Sequence, residues 1–238
     1  MTTLHSDPPF SILVILGITL PEVSEADIAQ IKNSAGPDAS VKVAKNVHEA
    51  IPLAHDVDFI FGLLPKTLFK AAPRLQWVHA IASGVDMFLY PAMRESPVIL
   101  TGEKGLVGGH LADTGFGLLL SLTRQIATAI RLGPDSWEHR GTMRKKEIEL
   151  AGLTMGIIGF GGTGQAMALR AQAFGMRVLA LDEQEVPGSH GVETIWGKDR
   201  LNALLSASDV VSICCPLTQQ TRGLLNDATF AEIKPGAL

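Results

Sequence analysis

The chain has 238 residues, 46% of them hydrophobic, which is enough apolar material for one large core or two modest ones. A net charge of −4, with no stretch that concentrates Lys and Arg, gives no polyanion-binding signal and sets nucleic acid aside as a partner. The two cysteines, Cys214 and Cys215, are adjacent, and the seven histidines make no H-x-x-x-H or C-x-x-C pattern, so neither a disulfide scaffold nor a metal site is expected.

The N-terminus lacks a basic region, and the apolar run behind it is too short to span a bilayer, so the expectation is a soluble, cytoplasmic protein with no membrane partner. Ile12–Leu16 reads as a first strand. A helix from Ser24 to Asn33 follows, with Ser24 as N-cap and Asp27 completing a capping box. Val41–Ala44, Val57–Phe61 and Gln76–His79 are further strands, separated by helices at Val47–Ala54 and Lys66–Ala72. This alternation argues a parallel α/β layer.

The loop AIASGVD, Ala80–Asp86, falls at the carboxyl end of the fourth strand, where open α/β sheets bind ligands. Ser83, Gly84 and Val85 offer backbone N–H groups to a carboxylate there, although the loop by itself reads more readily as an ordinary glycine turn. Val98–Leu100 closes this domain, and Thr101–Gly109, with four glycines, reads as a mobile connection. The expected division is 1–104 and 105–238. A single long helix is predicted over His110–Arg131, with Leu111, Leu118, Leu119 and Leu122 on its buried face, suited to a domain interface and to a two-fold homodimer. Gly133-Pro134 breaks it, and Trp137 is expected to anchor a short helix beyond.

The densest signal lies in Leu153–Asp182. Met155–Ile158 is a short apolar strand, after which Gly159, Gly161 and Gly164 form G-x-G-x-x-G. A helix runs from Gly162 until Gly175 stops it, and Met176–Leu181 is a second strand closed by Asp182, about 20 residues after the first glycine. In that setting Gly159 makes the tight turn, Gly161 lets the backbone approach a pyrophosphate, and Gly164 lets helix pack on strand. The helix N-terminus then faces the phosphates, and Asp182 accepts hydrogen bonds from the adenosine ribose. No Arg or Lys follows within Glu183, Gln184 and Glu185, so NAD is expected over NADP. Beyond it come a small strand in GVETIW, a helix at Asp199–Leu205 and a buried strand at Asp209–Cys214. Asn226 then caps a helix through Ile233, Lys234-Pro235-Gly236 ends it, and Ala237-Leu238 opens another strand.

Four ordered stretches together resemble the D-isomer-specific 2-hydroxyacid dehydrogenase family: LQWVHAIASGVD, GGHLADTGFGLLLSLTR, the glycine unit with Asp182, and SDVVSICCPLTQQTRGLLNDATFAEIKPGAL. The resemblance implies an α/β protein with a flavodoxin-like substrate domain and a Rossmann NAD-binding domain, the latter lacking its C-terminal strands in a truncated chain. It implies hydride transfer between NAD(H) and a small 2-hydroxy or 2-oxo acid. It carries Gly162 and Thr163 to the pyrophosphate, Cys215, Pro216 and Gln220 to the adenosine end, and Ser83 and Gly84 to the substrate carboxylate and nicotinamide side. Where the family often has Arg-Ile, this chain has Gly162-Thr163, which removes one side-chain contact to phosphate. The family's Arg and its His with a carboxylate fall downstream of the Lys234–Ala237 run, so no catalytic residue is expected here. His79 reads as a structural histidine, and Asp113 and Arg124 as helix-capping and surface or interface residues. His110 heads the long helix and could face the cleft, where the family does not put its acid/base. The other reading the sequence leaves open is a catalytically silent dinucleotide-binding protein that senses or scaffolds.

Overall fold

The computed structural model describes residues 9–36, 38–82, 84–184, 186, 191–192 and 195–238. The chain divides into two compact units, Met1–Lys104 and Gly105–Leu238. The first contains β1 (Ser11–Ile15), α1 (Glu25–Ala35), β2 (Ser40–Ala44), α2 (Val47–Ala50), β3 (Phe59–Phe61), α3 (Lys66–Ala71), β4 (Trp77–Ala80), α4 (Pro91–Arg94) and β5 (Ile99–Gly102). Its strands are all parallel in the order β2-β1-β3-β4-β5, the flavodoxin-like arrangement.

The capping box opens α1 as expected: the Asp27 amide donates to Ser24 Oγ at 3.2 Å, and the Ser24 amide to Asp27 Oδ2 at 2.9 Å. The period-2 alternation of β1 sends Leu13 and Ile15 to one face of the sheet and Ile12 and Val14 to the other. The first face is a dry core completed by Ile60, Val78, Leu68 and Phe88. The second packs against Ile31 and Ala35 of α1 and holds a cavity of about 680 Å³ lined by Phe59, Phe61, Trp77 and His79.

An aspartate pins the amino end of β1. The Ser11 amide donates to Asp58 Oδ2 at 2.9 Å, the Asp58 amide returns a bond to the Ser11 carbonyl at 2.8 Å, and Arg74 reaches Asp58 Oδ1 at 3.0 Å.

The second unit contains α5 (Gly108–Thr123), α6 (Ile126–Leu132), α7 (Arg140–Arg144), β6 (Thr154–Ile158), α8 (Gly162–Ala173), β7 (Arg177–Leu181), β8 (Ile195–Trp196), α9 (Leu201–Ala207), β9 (Val210–Ile213) and α10 (Asp227–Phe230). The strand order β8-β7-β6-β9, all parallel, is the 3-2-1-4 portion of a Rossmann sheet. Every residue of β6 is buried, as a central parallel strand requires. Leu238 pairs with β9 through its amide to the Asp209 carbonyl at 3.0 Å and its carbonyl to the Val211 amide at 2.8 Å. The pin recurs in this sheet, with the Thr154 amide on Asp209 Oδ2 at 2.8 Å and Lys234 Nζ on Oδ1 at 2.9 Å.

Three expectations are corrected. The helix predicted over His110–Arg131 is two helices, because Gln125 takes a left-handed conformation (φ 57°) between α5 and α6. Its side chain serves the break: Nε2 donates to the Leu122 carbonyl at 3.0 Å while Oε1 accepts from Thr128 at 3.2 Å. The buried face of α5 is Ala112, Phe116, Leu119 and Thr123, which leaves Leu111, Leu118 and Leu122 exposed. Close approach decides this, since Gly115 lies on the Met167 sulfur of α8 and the Phe116 ring stacks on Phe174 at 5.3 Å. Finally, Trp137 is no buried anchor: it is 72% exposed and meets the short helix α7 through Arg140, whose guanidinium covers its ring.

Candidate functional site

The site is built where β6 turns into α8. Gly159 has φ +94°, its amide donates to the Leu181 carbonyl at 2.7 Å, and a Cβ on it would stand 2.5 Å from the Cys215 nitrogen. A Cβ on Gly164 would run into the Gly159 carbonyl, and one on Gly162 would stand 2.8 Å from the Gly105 Cα. Packing therefore demands glycine at all three positions. Gly161 differs: its φ is −73°, open to any residue, and a Cβ there would meet nothing within 4 Å. It caps α8 without any side-chain hydrogen bond, so the first-turn amides of Gly162, Thr163 and Gly164 receive no side-chain cap, and the space over Gly161 itself is open. That is the one place in the turn where glycine keeps a cradle clear rather than relieving a clash. A pyrophosphate fits it, because orphan amides and the helix dipole both favour an anion there.

Asp182, at the end of β7, turns back onto this loop. Its Oδ2 accepts the Phe160 amide at 2.7 Å, its Oδ1 the Gln184 amide at 3.0 Å, and its own amide donates to the Trp196 carbonyl at 3.0 Å. The end of β9 borders the same turn through the Cys214 amide, which donates to the Ile158 carbonyl at 2.7 Å. Burial pushes the Cys215 thiol up, and the nearby Asp182 and Glu183 carboxylates push it further. Burial likewise raises Cys214, whose Sγ lies 3.3 Å from Ser212 Oγ. Both are free thiols and poor nucleophiles at neutral pH. Pro216 and Gln220 lie on the exposed loop that follows, where Thr221 Oγ1 donates to the Pro216 carbonyl at 2.6 Å.

Two cations that local sequence reasoning missed come to this corner through strand pairing. Lys198 Nζ stands 3.6 Å from Glu183 Oε1, and the Arg200 guanidinium covers the Trp196 ring at 4.9 Å. Any segment pairing parallel to β7 must end at the same edge as Asp182, and that was the available signal. The Gly105–Gly108 segment was also missed: a Cβ on Gly108 would lie 2.6 Å from the Gly162 carbonyl, so the start of α5 packs against the glycine turn.

In the first unit, Ser83 lies outside the described residues, as Glu185 does in the second. Gly84 is exposed beside Asp86, and Val85 leads into a short turn at Asp86–Phe88 with its Cγ1 toward Gly102. His79 Nδ1 lies 2.9 Å from Thr101 Oγ1, which also accepts the Trp77 indole N–H at 2.8 Å. His110 is exposed in the first turn of α5. Asp113 caps nothing and instead binds Arg170 at 2.7 Å, tying α5 to α8, while Arg124 pairs with Glu147 at 2.7 Å. Among the described residues the one histidine–carboxylate contact is the exposed His55–Asp56 pair, and no cluster able to hold a metal occurs. No helix among them is long and apolar enough to cross a membrane.

Residues 116–238 match the profile "D-isomer specific 2-hydroxyacid dehydrogenase, NAD binding domain". A hydroxypyruvate reductase of Thermotoga maritima is 31% identical over 172 residues, 72% of this chain and 54% of that protein. A glyoxylate reductase of Thermococcus onnurineus is 32% identical over 216 residues, 83% of this chain and 63% of that protein. The chain thus spans about half to two thirds of the length of these curated relatives. A crystal structure of a D-isomer specific 2-hydroxyacid dehydrogenase family protein from Aeromonas salmonicida superposes with a TM-score of 0.74 at 24% identity, covering 97% of this chain and 71% of that one.

Proposed function

The chain belongs to the D-isomer-specific 2-hydroxyacid dehydrogenase family, and from that premise we propose that it works in hydride transfer between NAD(H) and a small 2-hydroxy or 2-oxo acid. Residues 105–238 are read as the cofactor domain and 1–104 as the substrate domain. The observation that carries the reading is the empty space over Gly161 at an uncapped helix start, with a carboxylate fixed beside it. In this assignment the Gly159–Gly164 turn holds the pyrophosphate on the amides of Gly162 and Thr163, and Asp182 receives the ribose hydroxyls. Cys215, Pro216 and Gln220 border the adenosine. When bound, the nicotinamide supplies or accepts the hydride.

The amides of Ser83, Gly84 and Val85 are read as the substrate-carboxylate contact. His79 and His110 receive no acid–base role, because the first is bound to Thr101 and the second stands exposed without a carboxylate partner. NAD is the expected cofactor rather than NADP, since Asp182 and Glu183 repel a 2′-phosphate and the nearby Lys198 is engaged by Glu183. The exposed Leu111, Leu118 and Leu122 of α5 are read as a contact for a second copy. The free thiols fit a reducing, cytoplasmic setting.

Titration of the purified chain with NADH and NADPH by fluorescence tests the central assignment. NADH binds more tightly, and Gly161→Val abolishes binding while lowering the melting temperature only slightly, because a Cβ at that position meets no protein atom within 4 Å and the remaining cost is that of a poorer N-cap. A folded chain that ignores NADH, or a Gly161→Val variant that binds it as well as the parent, overturns the assignment. A second reading, binding without turnover, draws on the lack, among the described residues, of a carboxylate bonded to His79 or His110. Oxidation of NADH on adding glyoxylate or hydroxypyruvate separates the two, turnover supporting the enzyme and its lack the silent binder.

A further inference from the structure

Asp182 is occupied before any ligand arrives. A carboxylate offers about four lone-pair sites on its two oxygens, and here each oxygen already accepts a backbone amide, Phe160 at 2.7 Å on Oδ2 and Gln184 at 3.0 Å on Oδ1. One site on each oxygen is left for the two ribose hydroxyls. The Phe160 bond matters more than its neighbour, because Phe160 is the residue just before Gly161. The Phe160 ring is fully buried in the core of the second unit. Its carbonyl accepts Gln165 Nε2 at 3.2 Å. Side chain, N–H and C=O are therefore all held, and by different groups. Gly161, which follows, adds no side chain of its own.

We infer that Asp182 and Gln165 are positioning residues for the phosphate cradle. Asp182 holds the Phe160 amide, and Gln165 turns the Phe160 carbonyl, a dipole that would repel phosphate, away from that role. The peptide entering Gly161 is thus set in place in the free protein, so that ordering it costs the ligand nothing on binding. Asp182 then has two separable functions, ribose acceptor and loop strap. A substitution at Asp182 meant to admit a 2′-phosphate also unmoors the turn that must bind the pyrophosphate. The ligand half of this inference rests on the dinucleotide reading; the strap itself is a property of the free chain.

The experiment follows the two halves separately. In the ligand-free chain, amide hydrogen exchange at Phe160 is compared in the parent, Asp182→Ala, Asp182→Asn and Gln165→Leu. Losing a charge-assisted bond speeds local opening by about tenfold or more, so Asp182→Ala exchanges at least that much faster. Asp182→Asn keeps a carbonyl oxygen for the Phe160 amide and restores most of the protection. The second measurement titrates inorganic pyrophosphate, which has no ribose, by amide chemical shifts. If Asp182 served only the ribose, removing its negative charge would leave pyrophosphate affinity unchanged or raise it. Loss of the strap lowers it instead, so the sign decides. Gln165→Leu weakens NADH and NADPH by the same factor, leaving their ratio intact.

Unchanged Phe160 exchange in Asp182→Ala overturns the inference even where the parent binds NADH normally. Equal or tighter pyrophosphate binding by Asp182→Ala also overturns it. Faster exchange in a chain that binds no dinucleotide leaves the strap standing and removes the function assigned to the loop. Should Asp182→Ala fail to fold, Asp182→Asn and Gln165→Leu carry both measurements.

Discussion

Each sheet is pinned at the amino end of its first strand by an aspartate borrowed from the neighbouring strand, and the two pins differ in burial. Asp58 clamps Ser11 of β1 with its side chain 1% exposed, while Asp209 clamps Thr154 of β6 with its side chain 29% exposed. In both, the carboxylate takes the amide that opens the strand and a cation takes the second oxygen, Arg74 in one case and Lys234 in the other. Parallel pairing leaves the same unsatisfied amide in each sheet, and the same chemistry answers it. The solvent each pin keeps determines how much it matters. Both pins sit at the amino ends of their strands, so the carboxyl ends, where the glycine turn and the Ala80–Asp86 loop lie, are left free for ligand chemistry.

The sharpest way to break the comparison is Asp58→Ala. It removes the buried carboxylate from the Ser11 amide, while the Arg74 guanidinium, 53% exposed, returns to water, so the cost is that of a charge-assisted hydrogen bond lost at a dry site, about 2–3 kcal/mol. Calorimetry should show a large fall in melting temperature, while the NADH affinity of whatever remains folded in residues 105–238 stays near the parent value. A loss no larger than that of Asp209→Ala would show that burial does not rank the two pins.

Asp209→Ala is expected to cost less, about 1–2 kcal/mol, because water reaches the groups it abandons. It also carries a pH signature. The Thr154 amide, then the Lys234 ammonium, hold the Asp209 carboxyl below its ordinary value. A depressed folded value means that the contribution is fully present above the unfolded pKa, near about 4, and is lost as pH falls through the folded value. Urea melts between neutral pH and about pH 3 should therefore show a shallower acid slope in Asp209→Ala than in the parent. Parallel slopes would remove Asp209 from the acid response.

The smallest effect belongs to Lys234→Met. Its partner keeps the Thr154 amide and some water, so the loss should stay below about 1 kcal/mol and shrink further in high salt. A larger, salt-independent loss would mean that the second pin is as dry as the first.

What the sequence revealed and what it hid divide along a physical line. The Ser24–Asp27 box, the short apolar strands and the G-x-G-x-x-G turn are readable because each is settled within a few residues. The buried face of α5 was not, because a helix carrying Leu111, Leu118, Leu119, Leu122 and Phe116 offers more than one apolar face. The choice fell to Ala112 and Gly115, whose smallness lets α8 come close. The break at Gln125 was hidden because a glutamine in a left-handed conformation leaves no mark of the kind Gly or Pro would. Lys198 and Arg200 became visible near Asp182 only once β8 was paired with β7.

The three tryptophans are distributed so that each reports on different surroundings. Trp77 sits among Phe59 and Phe61 with its indole N–H bound, Trp137 lies open under Arg140, and Trp196 lies under Arg200 on the strand whose carbonyl holds the Asp182 amide. Their emission should therefore separate into a blue component from the first sheet, a red component readily quenched by acrylamide, and a component from the strand beside Asp182. The chain carries its own optical probes, one for each sheet and one for the solvent-facing helices between them in sequence.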